Sequence, residues 1–116
     1  MSGERMPWVP QRGDLVLILL EPQTQPEHAW RSPALVLSPA RYNDRTGLAV
    51  VCPTAAVARG YPFEVPIPDG LPLFGAVLAD QVRSLDWRMR QAELACRLPE
   101  RVVLEVLQKL GTLVAP

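Results

Sequence analysis

Polar side chains that could do chemistry occur in four short groups, each next to an apolar segment. They lie at residues 27–32 (EHAWRS), 53–54 (PT), 59–61 (RGY) and 80–83 (DQVR). The chain contains no phosphate-cradling glycine loop, no HExxH, no GxSxG and no serine or cysteine beside a local histidine. These absences disfavour the common enzyme classes and leave the four polar groups as the candidate site.

Neither a metal site nor a cofactor is expected. Cys52 and Cys96 are isolated thiols without CxxC spacing, and His28 is the single histidine, so the three residues do not form a convincing zinc set. The N-terminus lacks an apolar signal core, and no apolar run approaches the roughly 18 residues that span a bilayer. We therefore expect a soluble, cytoplasmic protein that does not associate with a membrane.

The composition predicts one compact domain built from short segments. The chain has 116 residues, is 48% hydrophobic and contains 13 prolines, which divide it into short pieces and favour strands over long helices. Lys plus Arg equals Asp plus Glu at 12 each, so a nucleic-acid site must be a local patch. Arginine supplies nearly all of the positive charge, which suits contacts to phosphate, although a GC-rich genome gives the same bias.

Apolar runs predict the strands. Residues 14–20 (DLVLILL), 34–38 (ALVLS) and 48–52 (LAVVC) are three such runs, and the last two flank a predicted turn in PARYNDRTG. The proline-rich stretch 21–32 reads as a long loop and a candidate lid. Residues 63–67 (FEVPI) predict an edge strand or strand end, and 75–85 predict a further strand with polar groups inside it.

One amphipathic helix is predicted at the C-terminus. Residues 99–110 begin with a proline, place Val103, Val106, Leu107 and Leu110 at helical spacing, and are followed by Gly111. Four or five short strands with one terminal helix make a mainly β fold. They predict a small, SH3-like antiparallel barrel.

Four longer segments resemble the MazF/PemK family of toxins from toxin–antitoxin pairs. They are GDLVLI (13–18), SPALVLSPARYNDRTGLAVVCPT (32–54), ARGYPFEV (58–65) and VLADQVRSLDWR (77–88). The resemblance places a toxin domain at residues 12–114 after an extension at residues 1–11. It implies a CcdB/MazF-like barrel, a homodimer, metal-independent cleavage of single-stranded RNA at specific short sequences, and inhibition by a partly disordered MazE-like antitoxin.

The same resemblance implies which residues catalyse the cleavage. In that family an arginine before the Pro–apolar strand and a threonine after the strand ending in proline act while the ribose 2′-oxygen attacks its neighbouring phosphate. This sequence has RSP at 31–33 and PTA at 53–55, so each candidate lies one position early. A one-residue shift turns a side chain to the opposite face of a regular strand, unless a loop or bulge restores its aim. We predict Arg31 and Thr54 as catalytic residues, with Glu27 helping to orient them.

RNA contacts are predicted for a second set of residues. Arginines can clamp phosphates and a tyrosine can stack on an unpaired base, but surface arginines and a tyrosine at the core edge are the alternatives. A glutamine within an apolar strand could equally belong to a structural hydrogen-bond network. The predicted contacts are Ser32, Arg59, Tyr61, Gln81 and Arg83.

For several residues, interpretations that give them no functional role stay open beside these predictions. Glu27 could be a solvated loop carboxylate, and His28 either an acid–base group or a surface residue. Trp30 and Trp87 could be exposed platforms or core packing, with packing favoured for Trp87. At the level of function, the alternatives are a catalytically impaired relative that binds RNA or antitoxin, and a gyrase-poisoning toxin of the CcdB kind.

Overall fold

The computed structural model describes residues 8–21 and 30–116. Within them lie seven strands and two helices: β1 (Asp14–Ile18), β2 (Ser32–Val36), α1 (Ala40–Thr46), β3 (Leu48–Ala55), β4 (Glu64–Pro66), β5 (Ala76–Leu78), β6 (Arg83–Asp86), β7 (Glu93–Arg97) and α2 (Glu100–Val114). A mainly β fold with a C-terminal helix is therefore confirmed. In the described residues no helix is long and apolar enough to cross a membrane.

All strand pairings are antiparallel, and six of the seven strands follow one path. The order is β4-β5-β3-β2-β1-β7, and β6 pairs with β3 beside this path. No pairing among the described residues joins β4 to β7, so the sheet is open, and the expected closure into a barrel is not seen. Because neighbouring strands run in opposite directions, β1 and β3 end where β2 and β6 begin. Three of the chain segments that carry candidate residues, at the start of β2, the end of β3 and the start of β6, thus meet at one end of the sheet.

The central strands are largely apolar because both of their faces are buried. Side chains alternate between the two faces of a strand. On one, which we term the helix face, Leu15, Leu35 and Cys52 pack against α2. On the other, the second face, the neighbouring side chains pack around Trp87. The second-face residues of these strands are Val16, Ile18, Ala34, Val36, Ala49 and Val51.

The predicted turn at PARYNDRTG is instead a short helix, α1, which ends at Gly47 with a left-handed φ of 74°. Its one buried residue is Asn43, whose side-chain amide donates to the carbonyls of Pro10 (2.8 Å) and Ser38 (3.0 Å). These contacts come from outside the helix, so α1 is stabilised by tertiary hydrogen bonds. Such support leaves no apolar periodicity in the sequence, and the turn prediction was wrong for that reason.

The predicted strand at 75–85 is in fact two strands joined by a turn. β5 pairs with the end of β3 and β6 with its beginning, and between them the Gln81 amide donates to the Leu78 carbonyl at 3.1 Å. Gln81 is exposed in this turn and does not lie inside an apolar strand. Two further differences concern the C-terminal region. β7 had not been predicted, and α2 continues through Gly111 to Val114.

Candidate functional site

A groove of about 570 Å³ opens where the end of β3 meets β5 and the loop of residues 56–63. Ala55 and Leu78 line it together with Arg59, Tyr61 and Gln81. Thr54 and Val77 are paired across β3 and β5, and Val77 packs beneath α2 on the helix face. Because side chains alternate between the two faces of a strand, the adjacent residues Ala55 and Leu78 lie on the other face. The groove that they line therefore opens away from the helix face. Three of the five predicted RNA contacts are thus brought together.

The groove side chains are available to a ligand. Tyr61 is 61% exposed, and Arg59 and Gln81 are exposed as well. The Arg59 guanidinium forms no ion pair with any described residue. A guanidinium, an aromatic ring and an amide can hold a phosphate, a base face and a base edge respectively. This combination suits an unpaired nucleotide.

Glu64, at the start of β4, organises the loop beside the groove. Its Oε1 atom accepts hydrogen bonds from the backbone amides of Arg59 (2.8 Å), Gly60 (2.9 Å) and Tyr61 (3.3 Å). The residue is only 6% exposed. Sequence reasoning missed it, because a single glutamate inside FEVPI looks like a solvated strand residue; the only local signal is the RGY tripeptide shortly before it.

Arg31 lies immediately before β2, and its guanidinium is occupied. Nη1 lies 3.0 Å from Glu93 Oε1 and also donates to the Gln91 carbonyl at 3.3 Å. Glu93 is the register partner of Leu17, whose neighbours Val16 and Ile18 belong to the second face. The Arg31 guanidinium therefore ends on the helix face, in an ion pair whose two side chains are 36% and 61% exposed.

Thr54 also belongs to the helix face. It is paired with Val77, while Ala55 is paired with Ala76, and the register runs through both pairs without a bulge. The Thr54 hydroxyl donates to the Pro33 carbonyl at 3.4 Å. The one-residue displacement of the threonine therefore changes the face on which it lies: Thr54 points away from the groove, while Ala55 lines it.

The remaining predicted contacts lie on the second face or outside the described residues. Ser32 pairs with Ile18 and Arg83 with Val51, both second-face residues. Arg83 Nη1 lies 3.2 Å from Glu21 Oε1. Glu27 and His28 fall outside the described residues. The candidates therefore share one end of the sheet but are divided between its two faces.

The two cysteines and the two candidate tryptophans, Trp30 and Trp87, have clear environments. Burial, with a smaller contribution from the Asp80 carboxylate, raises the pKa of the Cys52 thiol to about 12, and burial also raises the pKa of Cys96. Cys52 therefore stays protonated at neutral pH and is a poor nucleophile.

Trp87 is buried and donates from Nε1 to the Asn43 carbonyl at 2.8 Å, which confirms packing, whereas Trp30 is 78% exposed. In the described parts of the chain, no group of three or more His, Cys, Asp and Glu side chains could hold a metal ion.

Comparison with known proteins gives a consistent match. The family described as PemK-like, MazF-like toxin of type II toxin-antitoxin system matches residues 11–114. Endoribonuclease toxin MazF of Escherichia coli (strain K12) is 44% identical over 85 residues, which are 73% of this chain and 76% of that protein. A crystal structure of MazF from Deinococcus radiodurans is similar with a TM-score of 0.86 and 50% identity, covering 95% of this chain and 100% of that one. A chain in a MazE-MazF crystal structure from the same organism gives 0.84 and 48%, covering 94% and 98%.

Proposed function

This chain belongs to the PemK-like, MazF-like toxins of type II toxin–antitoxin systems, and we propose that it is an endoribonuclease toxin that cleaves single-stranded RNA at specific short sequences. The observation that carries the proposal is the match over residues 11–114 to a family whose curated relatives are named endoribonucleases. We assign the toxin domain to residues 12–114. We propose that its substrate is mRNA and that it acts in the cytoplasm.

We assign RNA binding to the groove. Arg59 would hold a backbone phosphate, Tyr61 would stack on an unpaired base, and Gln81 would hydrogen-bond a base edge. The bases of a duplex are stacked on one another and cannot reach such a groove, so double-stranded RNA should be spared. Ser32 and Arg83, at the same end of the sheet, would contact the neighbouring nucleotides.

The proposed reaction uses the RNA itself as nucleophile. The 2′-oxygen attacks the adjacent phosphorus and loses its proton to a base, while the bond from phosphorus to the 5′-oxygen breaks and that oxygen takes a proton. The products are a 2′,3′-cyclic phosphate and a free 5′-hydroxyl. No metal-bound water is needed, because the nucleophile is already attached. The protein must hold the negative charge that grows on the phosphate oxygens.

We assign that charge stabilisation to Arg31 and Thr54, with Glu27 orienting the site. The ion pair of Arg31 with Glu93 is exposed, and such pairs contribute only about 0–1 kcal/mol, so a dianionic transition state can compete for the guanidinium. Arg31 lies outside β2 and can turn around the strand end. Thr54 is fixed near the end of β3, so the scissile phosphate would have to lie at this end of the sheet, beyond the strand ends, where both faces are within reach.

The competing function is binding of RNA or antitoxin without cleavage. One specific observation favours it: Ser32 and Ala55 stand where the family pattern has its arginine and threonine, while Thr54 faces away from the groove. A binding module would keep the contacts of Arg59, Tyr61 and Gln81 and lose only the chemical step. The two functions therefore differ in product formation rather than in RNA affinity.

We further propose two protein partners. The first is a second copy of this chain, supported by apolar side chains left exposed, among them Val57 (65%) and Phe74 (75%). Sedimentation as a monomer at micromolar concentration would contradict it. The second is a short, acidic, partly disordered MazE-like antitoxin, supported by the MazE-MazF complexes of the Deinococcus relative. We expect it to cover residues 21–32 and to compete with RNA, so saturating antitoxin should stop cleavage.

The deciding experiment incubates the purified protein with a long RNA in the presence of excess chelator and maps the ends by primer extension. Cleavage at a recurring short sequence is expected, with matched double-stranded RNA and DNA left intact. Activity that disappears with chelator and returns with magnesium or manganese contradicts the proposed reaction. RNA binding without cleavage across many sequences supports the competing function instead.

A further inference from the structure

The loop beside the groove is built around a single internal carboxylate. Three consecutive backbone amides, those of Arg59, Gly60 and Tyr61, converge on Glu64 Oε1 at 2.8, 2.9 and 3.3 Å. Successive amides can point to one side in a turn or where right-handed and left-handed residues alternate, and Gly60 has a φ of +81°. The arrangement is the anion-binding nest that proteins use for phosphate, here filled by a side chain of the protein itself.

Besides the bonds to the carboxylate, the end of the loop is held by the Glu64 backbone amide, which donates to the Tyr61 carbonyl at 3.0 Å. Residues 56–62 are all exposed, and none of their side chains belongs to either core cluster. Glu64, in contrast, is buried and fixed from α2, because Lys109 Nζ donates to the Glu64 carbonyl at 2.9 Å. Glu64 therefore connects an exposed loop to the rigid packing of the sheet and helix.

We propose that Glu64 is a positioning residue for RNA recognition, which presets Arg59 and Tyr61 in the groove before RNA arrives. The proposal deepens the function proposed above and rests on it. Both residues donate their backbone amides to Glu64 while their side chains line the groove. If the carboxylate is lost, the loop samples many conformations, and RNA binding must order it at an entropic cost. The loss should therefore appear in substrate binding rather than in the chemical step.

The test compares Glu64→Gln with wild type and with Glu100→Gln, a matched control at an exposed glutamate on α2. The glutamine keeps one oxygen acceptor but removes the charge and adds an amino group. We expect KM to rise about 10-fold with kcat changed less than about 3-fold. The reason is that the variant loses only the ordering of the loop in the free protein, so the cost of ordering it is paid when RNA binds and not in the chemical step. The control should match wild type. An unchanged KM, or a fall in kcat alone, would overturn the proposal.

A double-mutant cycle separates positioning from a general structural role. If Glu64 acts through Tyr61, the Glu64→Gln change should have little further effect on KM in a Tyr61→Ala background. Fully additive effects would contradict the proposal. Gly60→Ala disrupts the same nest and leaves the Glu64 carboxylate unchanged. The added Cβ would meet nothing within 4 Å, so the substitution strains only the left-handed backbone. It should raise KM as Glu64→Gln does.

A third measurement keeps this inference distinct from the proposed function. Amide hydrogen exchange of Arg59, Gly60 and Tyr61 in the free protein should be at least about 10-fold faster in Glu64→Gln than in wild type, with α2 amides unchanged. Equal exchange in the two proteins would refute the positioning role whether or not the wild type acts on RNA. A wild type that orders its loop but neither binds nor cleaves RNA would refute the proposed function, and the recognition role of Glu64 with it.

Discussion

Gly75 lies directly before β5 with a φ of +111°, where its backbone passes unusually close to β3. A Cβ atom added there would lie 2.0 Å from the Ala55 carbonyl oxygen and 3.0 Å from the Ala55 carbonyl carbon. Both are backbone atoms of a strand, so no side-chain rotation can relieve the contact. Gly75→Ala must therefore push β5 away from β3 at the edge of the groove.

The expected loss has two parts. A residue forced to keep this positive φ costs about 1–3 kcal/mol, and overpacking typically costs a further 1–3 kcal/mol or so, which together make roughly 2–6 kcal/mol. Gly70→Ala is the matched control, since Gly70 has a φ of +92° but open space around its Cβ position. It should show only the strain. At roughly 4 °C per kcal/mol for a domain of this size, the Tm of Gly75→Ala should lie about 4–12 °C below that of Gly70→Ala.

Thermal melts followed by circular dichroism at one protein concentration measure this difference directly, and urea melts check it. Equal Tm values for the two variants would mean that β3 and β5 do not approach each other as described. Cleavage should also suffer in Gly75→Ala at temperatures where the variant is still folded, because Ala55 and Ala56 line the groove.

Three further predictions concern charge and chemistry. Arg31→Ala and Thr54→Ala should each slow cleavage by about 10²–10³-fold, the usual loss of a preorganised donor, with the Tm changed little in Arg31→Ala because its ion pair is exposed. Arg59→Ala should weaken RNA binding and lower the slope of log Kd against log salt by about 0.7, the value for one phosphate contact on a single strand. The thiol pKa of Cys52 is raised from 9.0 to about 12, so above pH 9 the folded state keeps a proton that the unfolded chain loses. The free energy of unfolding of the wild type therefore falls as pH rises from 9 to 12. Cys52→Ala should make this fall less steep.

Each of these has a contradicting outcome. Wild-type cleavage rates in both Arg31→Ala and Thr54→Ala would move the active site elsewhere, with Arg59, Gln81 and Arg83 as the next candidates. An unchanged salt slope in Arg59→Ala would remove that residue from the phosphate contacts. Parallel stability curves for wild type and Cys52→Ala between pH 9 and 12 would mean that the thiol is not shielded as its burial indicates.

Apolar patterning predicted the elements whose stability comes from burial. β1, β2 and β3 stand out because both of their faces are packed, and α2 because one face meets the sheet at helical spacing. α1 could not be predicted, because Asn43 holds it through hydrogen bonds to Pro10 and Ser38 rather than through apolar contacts. The 75–85 segment was predicted as one strand because its apolar run continues into the turn, where Ala79 is buried.

Only some of the residues around the groove could be selected from the sequence, and their arrangement could not. Family resemblance and residue chemistry selected Arg59, Tyr61 and Gln81, and the structure places them in one groove. The period-2 rule indicated that the one-residue shift turns Thr54 to the opposite face unless a bulge restores its aim, and the register of β3 with β5 contains no such bulge. Glu64 could not be selected, because its role depends on a loop conformation that brings three amides to one oxygen.

The central claim is that the RNA supplies the nucleophile, and a single-atom change in the substrate tests it most directly. The wild-type protein is given two short single-stranded RNAs that contain its mapped cleavage sequence, identical except for a 2′-deoxyribose on the 5′ side of the scissile phosphate. The account predicts cleavage of the all-ribose strand to a 2′,3′-cyclic phosphate and a 5′-hydroxyl, with chelator present, and no cleavage of the deoxy-substituted strand. Cleavage of both strands, or products that carry a 5′-phosphate, would contradict it.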